Sequence, residues 1–134
     1  MIDAAVIARA GERLQAAAPD AKVFLYGSYA RGDAREDSDL DFLIVEPGWV
    51  ASRSEKVRLR SALGKFDLPI DLLVVGEAVF QEWLRAPGMI EERPSPQGTQ
   101  IKAVNFSKRI LEFLREYPPA RKSRPTNAKP STPG

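Results

Sequence analysis

The stretch Gly27–Val45, GSYARGDAREDSDLDFLIV, decides the fold of this 134-residue chain. It starts with a Gly-Ser pair directly after the apolar run Lys22–Tyr26, and it ends in a second apolar run that Asp39 and Asp41 open. Side chains alternate between the two faces of a strand, so we expect these two aspartates to share a face, roughly 7 Å apart. The residues that alternate with them point into the core. The carboxylates therefore lie where the apolar sheet meets solvent.

Two close carboxylates raise the question of a cation. At ~5 Å and an effective dielectric of ~20, their repulsion is about 3 kcal/mol, which a bound cation relieves and which freely solvated side chains avoid. Asp71 lies in another apolar run, Pro69–Val75, and adds a third carboxylate if the two strands are neighbours. The chain has no Cys and no His. Oxygen-only ligands suit Mg²⁺ or Mn²⁺ rather than zinc.

The Gly27-Ser28 pair supplies the other half of the predicted site. Gly27 allows the backbone to turn and to approach a ligand closely. Ser28 can cap a following helix, or it can donate its hydroxyl and backbone N–H to a phosphate. Arg31, one turn later, is either a surface cation or a phosphate ligand. A phosphate-binding turn facing a carboxylate cluster is suited to phosphoryl or nucleotidyl transfer.

This combination resembles the signature of the DNA polymerase β-like nucleotidyltransferase superfamily. The matching features are Gly27-Ser28, ten intervening residues, the Asp39-Leu40-Asp41 triplet and the later Asp71 in an apolar strand. The full Gly27–Val45 string is most similar to the minimal, MNT-type branch, many of whose members are antitoxins paired with HEPN-domain toxins. The resemblance implies an α/β (α+β) fold with the polymerase β-like core, a small mixed β-sheet with flanking helices. Together with the short connections, it favours helices mainly on one face.

The resemblance also implies a chemistry. Gly27, Ser28 and Arg31 would bind ATP, while Asp39, Asp41 and Asp71 would hold two Mg²⁺ ions, or Mn²⁺, as catalytic and metal-binding residues. AMP would pass to a hydroxyl, which in the known cases is a tyrosine of the partner HEPN-type toxin. Two alternatives stay open. One is transfer to a small molecule such as an aminoglycoside, although 134 residues leave little room for a second substrate-binding domain. The other is a catalytically inactive toxin-binding module.

Alternating helical and strand patterns predict the domain organisation. Residues 1–104 are predicted to form the minimal nucleotidyltransferase domain, residues 105–117 a C-terminal amphipathic helix, and residues 118–134 a disordered, basic, Pro-rich tail. Strands are predicted at 22–26, 40–45 and 70–75, with a short fourth strand at 99–104. The intervening segment 91–98 is predicted to form turns.

The charge is divided unevenly along the chain. Residues 1–93 carry 16 acidic against 12 basic side chains, and residues 94–134 carry 2 against 8, within a net charge of +2. The basic segment lacks the interleaved aromatic residues that stack on bases, so a nucleic-acid partner is not expected. No apolar run approaches the ~20 residues of a membrane span, and Asp3 argues against a signal peptide. We therefore expect a cytoplasmic protein without a membrane partner.

Overall fold

The computed structural model describes residues 4–48 and 50–114, in which helices and strands alternate. The elements are α1 (Ala4–Ala17), β1 (Lys22–Tyr26), α2 (Ser28–Arg31), β2 (Leu40–Glu46), α3 (Ser52–Leu63), β3 (Ile70–Gly76), α4 (Glu77–Arg85), β4 (Ile90–Arg93), β5 (Lys102–Phe106) and α5 (Lys108–Leu114).

One five-stranded sheet runs through the molecule in the order β3-β2-β1-β5-β4. β1 is antiparallel to β2 and parallel to β5, β2 is parallel to β3, and β4 is antiparallel to β5. Leu40 pairs with Ile70 at the start of β2 and β3, and the Leu40 N–H donates to the Pro69 carbonyl at 3.0 Å. The predicted mixed α/β architecture is confirmed.

Helices cover both faces of the sheet, which corrects the expectation of helices mainly on one face. One core packs α1, α2 and α3 against alternate strand residues such as Phe42 and Ile44. The second core packs α4 and α5 against the residues between them, such as Leu43 and Val45. All four of these β2 side chains are at most 1% exposed. Because β2 is apolar on both faces beyond Asp41, each face must be covered.

The helix α1 packs closely on the loop before β5. A Cβ at Gly11 would overlap the Cδ1 atom of Ile101 and would lie 3.1 Å from its Cγ1 atom, so the close approach explains a glycine inside a helix. Arg13 joins α1 to the end of α3, since its Nη1 donates to the Leu63 carbonyl at 2.9 Å. The same guanidinium lies 5.1 Å from the centroid of the Phe66 ring.

The far end of β2 carries an acidic pair. Burial, a hydrogen bond with Glu55 and the charge of Glu55 raise the pKa of Glu46 to about 7. Hydrogen bonds from Arg58, at 2.6 and 2.9 Å, lower the pKa of Glu55 to about 2. The Glu46 Oε2 atom is buried without a hydrogen-bond partner among the described residues. Below about pH 7 the Glu46 carboxyl is protonated and can donate to the ionised Glu55, so the pair then carries one charge.

Two predictions for the C-terminal third were wrong in detail. The segment expected to form turns contains β4, and the fourth predicted strand lies at Lys102–Phe106 rather than 99–104. β4 is a mostly exposed, charged edge strand, IEER, so it lacks the apolar alternation by which a strand is predicted.

The C-terminal helix also begins later than predicted. Asn105 and Phe106 belong to β5, and α5 begins at Lys108 rather than at residue 105. Residues 115–134, including the end of the predicted helix and the predicted tail, lie outside the described residues. Within the described part of the chain, no helix is long and apolar enough to cross a membrane.

Candidate active site

Three neighbouring strands bring Tyr26, Asp41 and Asp71 into one row across the sheet. Tyr26 pairs with Asp41 in the antiparallel β1–β2 ladder, and Asp41 pairs with Asp71 in the parallel β2–β3 ladder. Directly paired residues present their side chains on the same face. The expected neighbouring of the two aspartate-bearing strands is therefore observed, and the row lies at the end of the sheet where β1 finishes and β2 begins.

Asp41 is the most perturbed carboxyl group of this row. Burial, then the charge of Asp71, then that of Asp39 raise the pKa of Asp41 to about 7, while the Arg31 guanidinium lowers it. Asp39 lies just before β2, and both Asp39 and Asp71 are exposed. The three predicted aspartates therefore interact electrostatically, and the structure leaves net repulsion at Asp41.

Gly27 brings the turn against the aspartate row. Its backbone has φ 77° and ψ −153°, a region that is essentially restricted to glycine. A Cβ at this position would overlap Asp41 Oδ2 and would lie 3.1 Å from Asp41 Cγ. The Gly27 carbonyl accepts a hydrogen bond from the Arg31 N–H at 3.0 Å, which holds the turn in place. The two halves of the predicted site are therefore in contact.

Ser28 is the first residue of α2, and Gly27 occupies the N-cap position. Of the two roles weighed for Ser28, helix capping is not the one observed, because no side-chain capping hydrogen bond is made. The side chain is half-buried beside Gly27. Among the described residues its hydroxyl has no hydrogen-bond partner, so it can donate to a ligand.

Arg31 lies at the end of the short helix α2, beside the aspartates. Its Nε atom is 3.3 Å from Asp33 Oδ2, and both side chains are more than half exposed. A surface ion pair of this kind contributes at most about 1 kcal/mol. The guanidinium is near enough to act on Asp41, and only a weak contact would be lost if it bound an anion instead.

Tyr26 is a site residue that the sequence analysis missed. Its hydroxyl donates to Asp71 Oδ2 at 3.1 Å. Burial, followed by the Asp71 and Asp41 charges, raises the pKa of Tyr26 above its ordinary value, so the phenol stays protonated. Its position at the end of an apolar strand, immediately before Gly27, was the available sequence signal. The cross-strand register that places it near Asp71 could not be read from local pattern.

The aspartates have the donor chemistry of a Mg²⁺ site, and Asp41 carries repulsion that a divalent cation would relieve. By themselves, however, the side chains are not gathered into a metal cage: within residues 4–48 and 50–114, no group of three or more His, Cys, Asp or Glu side chains is arranged to hold an ion. The carboxylates fit a hard divalent cation in donor type and charge, but the described side chains do not form a preassembled site for it.

Comparison with known proteins shows the family of this chain. The model of the nucleotidyltransferase domain family matches residues 7–96. Two proteins of Methanocaldococcus jannaschii, each named "putative protein adenylyltransferase", are similar to this chain. One is 38% identical over 53 residues, which are 40% of this chain and 52% of the relative. The other is 35% identical over 77 residues, which are 53% of this chain and 72% of the relative.

The chain thus spans about half of the first relative and nearly three quarters of the second. No solved structure matches it with significance. The matched residues 7–96 include the Gly27-Ser28 turn and all three aspartates, and they extend from α1 to just beyond β4. The chain therefore belongs to the nucleotidyltransferase domain family, as a nucleotidyltransferase of the minimal, MNT type.

Proposed function

We propose that this protein transfers AMP from ATP to a hydroxyl group on a partner protein, a HEPN-type toxin in the cytoplasm, and thereby acts as its antitoxin. The observation that carries the proposal is the contact between the Gly27 turn and Asp41, in strand register with Asp71. It joins a surface suited to phosphates with carboxylates suited to a divalent cation. The names of the two relatives support a protein acceptor.

Each residue of the site has a distinct role in the proposal. The Gly27-Ser28 turn receives the β- and γ-phosphates of ATP, because its backbone can approach closely and the Ser28 hydroxyl can donate. Arg31 exchanges its surface contact with Asp33 for a phosphate oxygen, where a guanidinium forms charge-assisted hydrogen bonds. These contacts orient the α-phosphorus toward the aspartate row.

The aspartates hold the cations and direct the acceptor. Asp39 and Asp41 would hold Mg²⁺, with two ions expected, and Mn²⁺ could replace it. When bound, the metal neutralises phosphate charge and lowers the pKa of the acceptor hydroxyl. Asp71 either completes the metal site or accepts the proton of that hydroxyl.

The reaction needs no covalent intermediate with the protein. The acceptor oxygen forms a bond to the α-phosphorus, the bond from that phosphorus to the bridging oxygen breaks, and pyrophosphate leaves with the bond electrons. The acceptor loses one proton in the same exchange. Catalysis then consists of positioning and charge stabilisation by the turn and the aspartates.

The test is transfer of label from α-phosphate-labelled ATP, with Mg²⁺, in lysate of the native host. Wild type and the Asp39→Asn/Asp41→Asn variant are run side by side, and we expect one labelled protein that the variant does not label. Its mass, increased by AMP, would identify the acceptor and its modified residue. If label appeared only in small molecules, the acceptor would be a small molecule and not a protein. No label, with a partner still co-purifying, would replace transfer with binding alone.

A further inference from the structure

The hydrogen bond between Tyr26 and Asp71 joins two residues from strands that are not neighbours. Tyr26 and Asp71 lie two strands apart, with Asp41 between them in the row. Neighbouring strands are about 4.8 Å apart, so only a long side chain can cross the middle strand. The tyrosine hydroxyl does so and reaches Asp71 Oδ2 at 3.1 Å.

This hydroxyl is the one hydrogen-bond partner of the Asp71 carboxylate among the described residues, in which no salt bridge to Asp71 is formed either. An exposed aspartate without a partner samples several rotamers. A phenol that donates to one oxygen restricts these rotamers and leaves the other oxygen to face a ligand. The contact therefore restrains an exposed aspartate that lies on the edge strand β3.

Aromatic packing fixes the tyrosine in turn. The rings of Tyr26 and Phe106 are 5.4 Å apart, with an interplanar angle of 58°. Phe106 meets the buried Trp83 edge-on at 6.0 Å. Phe106 comes from β5 and Trp83 from α4, so two elements that carry none of the site aspartates support the position of the tyrosine ring. Such support is what a pre-organised side chain requires.

From this geometry we infer that Tyr26 is a positioning residue for nucleotidyl transfer: its hydroxyl holds Asp71 in the rotamer that serves the acceptor hydroxyl. The inference rests on the proposed function, because it assigns Asp71 to the acceptor side of the reaction. It predicts a defect in turnover rather than in ATP binding, since the phosphate-binding turn is not touched. Phe106 and Trp83 contribute only by packing, which keeps the Tyr26 ring in position.

The first arm of the test does not depend on activity. Urea unfolding in metal-free buffer compares wild type, Tyr26→Phe, Asp71→Asn and the double variant in a double-mutant cycle. Tyr26→Phe keeps the ring and its packing on Phe106, so all four proteins should fold. We expect the unfolding constants to depart from multiplicative behaviour by about 5-fold, as for a partly exposed hydrogen bond to a charged acceptor. A multiplicative cycle would overturn the inference.

The second arm measures transfer to the acceptor that the labelling experiment identifies. Tyr26→Phe should lower kcat about 10-fold and leave the KM for ATP within about 2-fold, and it should add no further loss to Asp71→Asn. The control is Tyr29→Phe, which removes a nearby buried phenol oxygen from α2 and should leave kcat unchanged. An unchanged kcat in Tyr26→Phe, with active wild type, contradicts the inference alone. Wild type that transfers nothing contradicts the proposed function instead.

Discussion

Replacing Gly27 with alanine tests whether the turn and the aspartate row form one site. The substitution imposes two separate penalties. The first is backbone strain, because φ 77° and ψ −153° are essentially closed to alanine, at about 1–3 kcal/mol. For a domain of this size that corresponds to a fall in Tm of roughly 5–15 °C.

The second penalty falls on Asp41. The new methyl carbon would overlap Asp41 Oδ2 and would lie 3.1 Å from Asp41 Cγ, whereas unstrained carbon contacts are about 3.5–4.0 Å. The carboxylate must therefore move by about 1 Å, and a misplacement of that size at a reacting centre costs about 100-fold in rate. We expect Gly27→Ala to lose AMP transfer by at least that factor.

The matched control is Gly88→Ala. Gly88 has φ 72°, so alanine is strained there too, but beyond its chain neighbours no atom lies within 4 Å of the place that the methyl group would take. We expect this variant to lose stability, by about 1 kcal/mol, and to keep its activity. The assays are thermal unfolding and labelling of the acceptor well below both values of Tm. If Gly27→Ala transferred AMP at the wild-type rate, the contact between the turn and Asp41 would not be the basis of the site.

Three further predictions concern charge. Asp41→Asn should abolish transfer in the presence of Mg²⁺. Without divalent cations at pH 8, the same variant should stabilise the fold by about 1–2 kcal/mol after allowance for solvent screening, because it removes a charge whose burial, followed by repulsion from Asp71 and Asp39, raises the pKa of Asp41 to about 7; urea unfolding that shows the variant to be less stable would contradict this. Glu46 has a folded pKa of about 7, above its ordinary value, so its contribution is fully favourable below about pH 4.5 and is lost as pH rises through 7. Glu46→Gln should therefore match the stability of wild type at pH 5 and exceed it by about 1 kcal/mol at pH 8. The exposed control Glu82→Gln should show no such difference. If the free energy of unfolding changed with pH equally in Glu46→Gln and in wild type, the prediction would be wrong. Arg31→Gln should raise the KM for ATP about 10-fold and lower the Tm only slightly, since the variant loses a surface ion pair and the attraction of the guanidinium for Asp41, and a KM equal to that of wild type would remove Arg31 from the site.

The local parts of the site were predictable from sequence because they are short and contiguous. Gly27 and Asp41 each lie at the junction of an apolar run with a polar loop, and strand alternation predicts which face Asp41 occupies. The structure adds that these two residues touch. That contact depends on the antiparallel β1–β2 register. An apolar pattern excludes a slip of one residue, which would turn the buried side chains to the other face, but it does not exclude a slip of two residues.

The elements that sequence analysis missed depend on distant pairing. The edge strand β4 has a charged sequence, and it is a strand because β5 pairs with it. Tyr26 resembles any aromatic residue at the end of a strand until the register places Asp71 within reach. The second helical layer follows from the burial of Leu43 and Val45, which are as apolar as the residues between them.

The most direct test of nucleotidyl transfer compares ATP labelled at the α-phosphate with ATP labelled at the γ-phosphate. Purified protein, the identified acceptor and Mg²⁺ are incubated with each, and the Asp39→Asn/Asp41→Asn variant serves as the control. The proposed reaction predicts acceptor labelled from the α-position alone, release of labelled pyrophosphate from the γ-position, and neither product with the variant. Acceptor labelled from the γ-position, or equal labelling by the variant, would contradict it.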